Sequence, residues 1–392
     1  MTIRSTWFSM PIAILAVTSP VKAEVLAMMS YESKPAEQLE SLNLSGETPR
    51  REGIAIVDVD PDSVNYGTVI SDIPLDASSV AHHIFYDRTM RKAYVTGLNS
   101  PALRVIDMVS NPYRMSVIET PECALAEDVI FDNANDRWYL TCMGSAKVIV
   151  GDVATDEIIG EIQLPGTYPH GLAVDTNIDR ILVTSTITPD LTEPAELVSV
   201  VKASTLEPLS QIKMSDNESP SGVAPVEIFF VPDAETPTAI VTNMFGHTLW
   251  ALVWDAASEE FAAEQIFDFT TVGAAVPLEI YFNDTSDRMF VTTAMKPGYL
   301  HIFDISDGPT RPKLMKSIAT ADGAHHVGFT PDFKRAYVQN SFLNLPDMSD
   351  GSVSVVDLEN GTVISTMNSL KNAGFNPNSL VLLPDWNDLA GH

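Results

Sequence analysis

The chain has 392 residues, and its 23 Lys and Arg against 52 Asp and Glu give a formal net charge of -29 at pH 7. A surface this acidic excludes nucleic acids and anionic membranes as partners, because both are bound through clustered Lys and Arg. The two cysteines, Cys123 and Cys142, allow one disulfide but no cysteine framework.

The first 23 residues have the features of a secretory signal. Arg4 precedes a short apolar run, and Val21 and Ala23 form a small-residue cleavage pattern. We expect cleavage near Ala23, a secreted or lumenal location, and one domain over 24–392. The apolar run is too short to span a bilayer, and we expect no membrane span elsewhere.

Six related segments follow, and each has a short strand bearing His or a carboxylate, an Asp/Asn turn and a second apolar strand. They begin at Ala81, Leu125, Pro169, Pro225, Pro277 and Ala324. Repeats of roughly 50 residues built only of short strands are typical of β-propellers. The sequence therefore predicts an all-β fold.

Each repeat has room for a blade of four strands. The predicted blades span 82–119, 125–163, 169–213, 225–267, 277–318 and 324–366. Strands at 25–31, 53–60 and 67–74 and a last strand at 378–384 remain, and together they predict a seventh blade. Its innermost strand comes from the C-terminus, so the ring is closed without leaving exposed sheet edges.

A column of ionisable residues follows the innermost strands. The interval that separates His83 from Tyr94 also separates His326 from Tyr337, and this register aligns His83, Asp128, Glu227, Glu279 and His326. The preceding position holds His82, Glu127, His170 and His325. Because side chains alternate along a strand, we expect one set to face the axial channel and the other to enter the blade packing.

Buried ionisable groups cost free energy unless they are paired or solvated, so their recurrence has two interpretations. They connect neighbouring blades by hydrogen bonds, or they form a site at the channel mouth for acid–base chemistry. Under the second, the first-named set supplies the catalytic residues and the preceding set binds substrate. We predict no cofactor. Imidazoles from different blades could instead hold a metal, and the candidates are His82, His83, His170, His325 and His326.

Other features concern the surface. Long connections at 187–196, 214–224 and 341–351 are the places where a propeller carries specificity. Asn-x-Ser/Thr sequons, predicted to be glycosylated in a eukaryotic secretory pathway, begin at Asn43, Asn217, Asn283 and Asn360.

The segment IVDVDPDSVNYGTVI followed by His82 and His83, and VPLEIYFNDTSDRMFVTT, resemble the selenium-binding protein and methanethiol oxidase propellers. AHHVGFTPDFKRAYVQN is similar to the wider YVTN-type repeats. The first resemblance implies a copper-dependent oxidase in which the five histidines named above are the ligand candidates. That family's cysteine motifs are not seen here, which argues against thiol or selenium chemistry.

In size, signal sequence and sequons the chain also resembles secreted fungal hetero-Diels–Alderases, which join a tropolone quinone methide to a terpene alkene. This resemblance implies a small hydrophobic organic substrate, an acid that expels water, and an apolar wall that orients the alkene. It is the leading hypothesis, with the copper oxidase as the alternative. A non-catalytic, ligand-binding propeller is the third possibility.

Overall fold

The computed structural model describes residues 25–35, 50–166, 168–188, 192–214 and 222–387. The predicted signal segment, its cleavage position near Ala23, and the sequons at Asn43 and Asn217 lie outside these ranges. None of the helices within the described ranges combines the length and apolar character that crossing a bilayer requires.

Strands dominate the described residues. The N-terminal part supplies β1 (Leu26–Ser33), β2 (Glu52–Asp58) and β3 (Val69–Leu75). The first and second repeats supply β4 (Ala81–Tyr86), β5 (Lys92–Gly97), β6 (Ala102–Asp107), β7 (Arg114–Glu119), β8 (Ala126–Phe131), β9 (Arg137–Cys142), β10 (Lys147–Asp152) and β11 (Ile158–Gln163). The third and fourth supply β12 (Pro169–Asp175), β13 (Arg180–Ile187), β14 (Pro194–Lys202), β15 (Glu207–Lys213), β16 (Pro225–Phe230), β17 (Thr238–Asn243), β18 (Thr248–Asp255) and β19 (Glu260–Asp268).

The fifth and sixth repeats supply β20 (Pro277–Phe282), β21 (Arg288–Thr293), β22 (Tyr299–Asp304), β23 (Lys313–Ala319), β24 (Ala324–Phe329), β25 (Arg335–Asn340), β26 (Ser352–Asp357) and β27 (Thr362–Met367). The last strand is β28 (Phe375–Leu382). Helices are short: α1 (Ser369–Asn372) and 3₁₀ turns at Met143–Ser145, Phe269–Val272 and Pro384–Trp386.

These strands form seven four-stranded antiparallel sheets. Six are consecutive in sequence, and the seventh has the order β28-β1-β2-β3, so the C-terminal strand is innermost. Both the seven-bladed propeller and its closure by the two termini are confirmed. The chain is a β-propeller.

Burial falls from the axis outward within a blade. In the first blade every residue of β4 is buried, whereas almost every residue of β7 is exposed. The core lies between neighbouring blades, where for example Tyr94, Phe131 and Trp138 pack together. Gly151 pairs with Trp138 across β9 and β10, and a Cβ at this position would lie 1.9 Å from the indole ring. Only glycine allows this close approach of backbone to ring.

Cys123 and Cys142, which the sequence left open as a possible pair, form a disulfide. It joins the segment before β8 to the end of β9, next to the innermost strand of the second blade. Of the sequons within the described ranges, Asn283 and Asn360 both lie in turns, and Asn360 is exposed. Their glycosylation stays a prediction.

Candidate functional site

The innermost strands share a β-bulge at one height. On β4, Ala81 pairs with Gly97 and Ile84 with Val95, so two residues of β4 face only Thr96. The same two-against-one register recurs on β8, β12, β16, β20 and β24. The residue before each of these strands has a positive φ: Val80, Leu125, Tyr168, Ala224, Val276 and Gly323.

In five of these six strands the residue opposite the bulge accepts a hydrogen bond from it, whereas on β12 Thr184 Oγ1 donates to Gly171 O. Thr96 Oγ1 accepts from the His83 backbone N–H at 3.1 Å, and Thr141 Oγ1 accepts from Asp128 N–H at 2.9 Å. Thr242, Thr292 and Gln339 do the same for Glu227, Glu279 and His326. These side chains, which were not among the site residues predicted from the sequence, fix the orientation of the ionisable residues. Their signal was the polar residue recurring near the end of each second strand.

Alternation of side chains along a strand predicts that only one of the two adjacent columns faces the channel. The bulge makes this prediction wrong. An extra residue in a strand breaks the alternation of side chains and redirects them. All nine ionisable residues therefore meet in one cluster on the propeller axis: His82, His83, Glu127, Asp128, His170, Glu227, Glu279, His325 and His326.

One part of the cluster, which contains Glu127 and His170 and is called the upper part below, is a chain of ion pairs. Glu127 Oε1 lies 2.8 Å from His82 Nε2 and 3.0 Å from His170 Nε2. His170 Nδ1 lies 3.0 Å from Glu227 Oε1 and 4.0 Å from Asp128 Oδ2. Both ring nitrogens of His170 thus have a carboxylate as neighbour, an arrangement that favours the imidazolium form.

The other part, called the lower part, contains the imidazoles of His83, His325 and His326. His83 Nδ1 lies 2.9 Å from Asp128 Oδ1, and the His83 ring is stacked on His82 with 3.8 Å between centroids. The His326 ring meets His83 edge-on at 4.4 Å, and His325 Nε2 lies 3.0 Å from a Glu279 carboxylate oxygen. The aromatic contacts therefore place the imidazoles of two different inner strands, β4 and β24, against one another.

Burial and charge separate the pKa values of these groups. Burial lowers the pKa of His170, but the charges and hydrogen bonds of Glu127 and Glu227 outweigh it and raise this pKa well above its usual value. Burial raises the pKa of Glu127, but His82 and His170 reverse this effect and lower it strongly.

The neighbouring carboxyl groups shift the other way. Burial, assisted by the charges of Glu127 and Glu279, raises the pKa of Asp128 to about 8. Burial and the charge of Asp128 raise the pKa of Glu227 well above its usual range. Burial and the surrounding imidazoles hold the pKa of His83 well below that of free histidine. At neutral pH the cluster therefore contains a charged His170, a neutral His83 and a protonated Asp128.

An apolar pocket of about 90 Å³ lies above the cluster, at the end of the channel where the innermost strands begin. His82, Glu127 and His170 contribute to its floor. The remaining walls are mostly apolar and include Leu98, Met143, Ile187, Val226, Met244, Phe342, Leu343 and Leu345. His170 has a side-chain exposure of 12 %, whereas the other eight residues have at most 6 %. It is the ionisable group most accessible from the pocket.

The pocket divides the predicted site residues by depth. Three of the four assigned to substrate binding, His82, Glu127 and His170, line it, and the fourth, His325, lies under Phe342. The five assigned to catalysis, His83, Asp128, Glu227, Glu279 and His326, do not contribute to its walls. The sequence did not reveal the apolar wall of the pocket, because most of its residues lie at or just after the ends of second strands and meet only when the ring closes.

The cluster also contains residues suited to a metal. Ligand atoms of His83, His325 and His326 all lie within 4.8 Å of one another, and all three side chains are buried. His83 Nε2 has no hydrogen-bond partner among the described residues, while its Nδ1 lies beside Asp128. A carboxylate that orients a ligating imidazole in this way is common at metal sites. The residues present therefore fit the copper that the resemblance implies.

Comparisons with known proteins show similarity in fold but not in family. No protein-family model matches the chain, and no curated protein matches it. Among solved structures, a hypothetical selenium-binding protein from Sulfolobus tokodaii is similar with a TM-score of 0.69 and 14% identity, covering 92% of this chain and 94% of that one.

Two further solved structures are similar. A functionally unknown protein from Desulfotomaculum acetoxidans has a TM-score of 0.62 and 14% identity, over 92% of this chain and 99% of that one. A 6-phosphogluconolactonase-like protein from Bacteroides uniformis has a TM-score of 0.59 and 13% identity, over 92% and 100%. At these identities the likeness shows the propeller fold alone.

Proposed function

We propose that this propeller is an enzyme that binds a small, mostly apolar organic molecule in the pocket and transfers protons to and from it. The observation that carries the proposal is His170, which lies at the pocket floor with both ring nitrogens 3.0 Å from oxygens of the buried Glu127 and Glu227 side chains. An imidazolium kept charged at neutral pH beside an apolar wall has a proton available for a general-acid step in a water-poor site.

Glu127 complements this acid. Its Oε1 is shared between His82 and His170, so a substrate oxygen that takes its place at His170 Nε2 leaves Glu127 paired with His82. Once His170 has given up its proton, one of the two imidazoles that lower the Glu127 pKa no longer carries a charge. The carboxylate then becomes a stronger base, and Glu127 Oε2, which has no hydrogen-bond partner among the described residues, is positioned to accept a proton.

The reaction that this pair serves best is dehydration followed by hetero-Diels–Alder cycloaddition, as the resemblance implies. His170 donates a proton to the hydroxymethyl oxygen of a hydroxylated tropolone, the C–O bond breaks and water leaves. The ring hydroxyl loses its proton to Glu127, which returns it to His170, so the net change is loss of water. The quinone methide then forms one C–C and one C–O bond with a terpene alkene held by the apolar wall, and no proton is transferred.

The test uses 2-hydroxybenzyl alcohol, which gives an o-quinone methide by the same dehydration, with ethyl vinyl ether as the trapping alkene. Product is measured by liquid chromatography and mass spectrometry. We expect His170→Gln to lower the rate by about 100-fold or more, the usual contribution of a general acid. The control, His247→Gln, changes a histidine outside the pocket lining and keeps the rate. No turnover by the wild-type protein, despite saturable binding of the alcohol, would favour a non-catalytic ligand-binding propeller.

A second candidate, a copper-dependent oxidase of the methanethiol oxidase type, is favoured by the His83, His325 and His326 trio. These three imidazoles would hold the ion, with Asp128 orienting His83, and a bound copper would supply electron transfer to oxygen. Metal analysis of the purified protein separates the candidates. Stoichiometric copper, lost together with activity in His83→Ala, would support the oxidase and contradict the metal-free acid–base proposal.

A further inference from the structure

Phe342 lies between the apolar pocket and the lower imidazoles. Its side chain forms part of the pocket wall, and its ring meets His325 edge-on with 5.2 Å between centroids and 72° between planes. Below it, His325 lies beside His326 and His83, with ring centroids 4.2 Å and 5.8 Å away. A molecule that passes from the pocket toward these histidines on this side meets the phenyl ring first.

The loop that carries Phe342 is closed by its own hydrogen bonds. Phe342 N–H donates to Met348 O at 2.6 Å, and the Ser341 hydroxyl donates to Leu343 O at 2.7 Å. Leu343, also in the pocket wall, has a φ of 51°, a left-handed conformation that is rare for a branched apolar residue. Such conformations persist where surrounding contacts hold them, and they concentrate at functional sites.

The seventh blade and the helix α1 that precedes its innermost strand anchor this loop. Lys34 Nζ donates to Asp350 O at 3.0 Å, and Lys371 Nζ donates to Asp350 Oδ1 at 2.6 Å. The Asn376 amide donates to Asn344 Oδ1 at 2.6 Å. The loop is anchored both near its middle and at its end, so moving its backbone would break these hydrogen bonds. Rotation of the Phe342 side chain opens the path for a molecule without breaking them.

We infer that Phe342 is a gate that decides which molecules reach His325, His326 and His83 from the pocket. With the ring in place, the pocket is limited to about 90 Å³. With the ring turned away, an apolar group of the substrate takes its place against the His325 edge. The inference rests on the proposed function only in assigning substrate binding to the pocket. Phe342 is thus a specificity-determining residue, whichever chemistry the histidines perform.

The test measures how fast diethyl pyrocarbonate modifies each histidine, with peptide mass spectrometry as the readout. In Phe342→Ala we expect modification of His325 to be at least tenfold faster than in the wild-type protein. Two histidines outside the cluster serve as internal references: buried His301 stays slow, and partly exposed His247 stays fast. The matched variant Phe333→Ala, which removes a partly buried ring packed on Phe290 and Phe329, leaves the His325 rate unchanged.

Binding gives a second readout, with benzyl alcohol and 1-naphthalenemethanol as probes followed by ligand-observed NMR. We expect Phe342→Ala to increase the affinity for the larger alcohol relative to the smaller by at least tenfold, and Phe342→Leu to give an intermediate ratio. An unchanged His325 rate in Phe342→Ala, or equal acceleration at His301, would overturn the inference, since the ring would then act only in core packing. Neither measurement involves turnover, so failure of the gate and failure of the acid chemistry give different results.

Discussion

Replacing Asp128 by Asn probes the protonation state of the cluster. Burial raises the pKa of Asp128 to about 8 in the folded protein, against an ordinary value of 3.8. At pH 7 the folded state therefore keeps about 0.9 of a proton that the unfolded chain releases. Because the folded state binds more protons, the free energy of unfolding falls as pH rises from the unfolded pKa to about 8, by about 1.2 kcal/mol per pH unit near neutrality.

The asparagine side chain has the shape of a protonated carboxyl group and cannot ionise. We therefore expect Asp128→Asn to release about one proton fewer than wild type when it is unfolded in urea at pH 7. The readout is the base needed to hold pH constant in an unbuffered solution, so reversible folding is not required. In parallel, the urea midpoint of the variant should fall less between pH 6.5 and 7.5.

The control for this experiment is Asp255→Asn, which changes an exposed aspartate whose pKa is lowered by backbone hydrogen bonds from Ala257. This group is ionised at pH 7 in both states, so its replacement should leave proton release unchanged. Equal proton release by wild type and Asp128→Asn would refute the reasoning, because Asp128 would then be ionised in the folded state. A metal held by the cluster would give that result.

Three further predictions follow from single contacts. If His170 is the acid, the rate of quinone methide formation stays level through neutral pH and falls as pH rises through its raised pKa; a rate that rises with pH would contradict this. Gly151→Ala places a methyl group against Trp138 and should cost about 1–3 kcal/mol of stability or more, measured by urea unfolding; a cost near zero would contradict the close approach. Thr141→Val removes the acceptor for Asp128 N–H and should cost about 1–3 kcal/mol, whereas Thr141→Ser should retain most of the stability.

The sequence predicted the fold well because each blade repeats the same local pattern. Two periodic strands and an Asp/Asn turn, as from Ala81 to Gly97, recur at regular intervals, and the strands left at both ends could only complete a seventh blade. The register that aligned His83 with Asp128 and Glu279 was also readable, since equal spacing to the second strand places residues at equal height.

The arrangement within the site was not readable from the sequence. Period-two alternation sends His82 and His83 to opposite sides, and only the register shift opposite Thr96 shows that both enter the cluster. Contacts such as His170 with Glu227 join different blades, so their distances depend on ring closure. The same holds for the pocket wall, where Phe342 comes from one loop and Met143 from another.

The charge on His170 can be measured directly by NMR on protein labelled with ¹⁵N in its histidines. The signal of His170 is assigned by its loss in His170→Gln. At pH 7.5 we expect both ring nitrogens of His170 to be protonated, while His83 keeps one unprotonated nitrogen even below the ordinary histidine pKa of about 6.5. A His170 that loses its proton near the ordinary histidine value of about 6.5 would contradict the proposed acid chemistry.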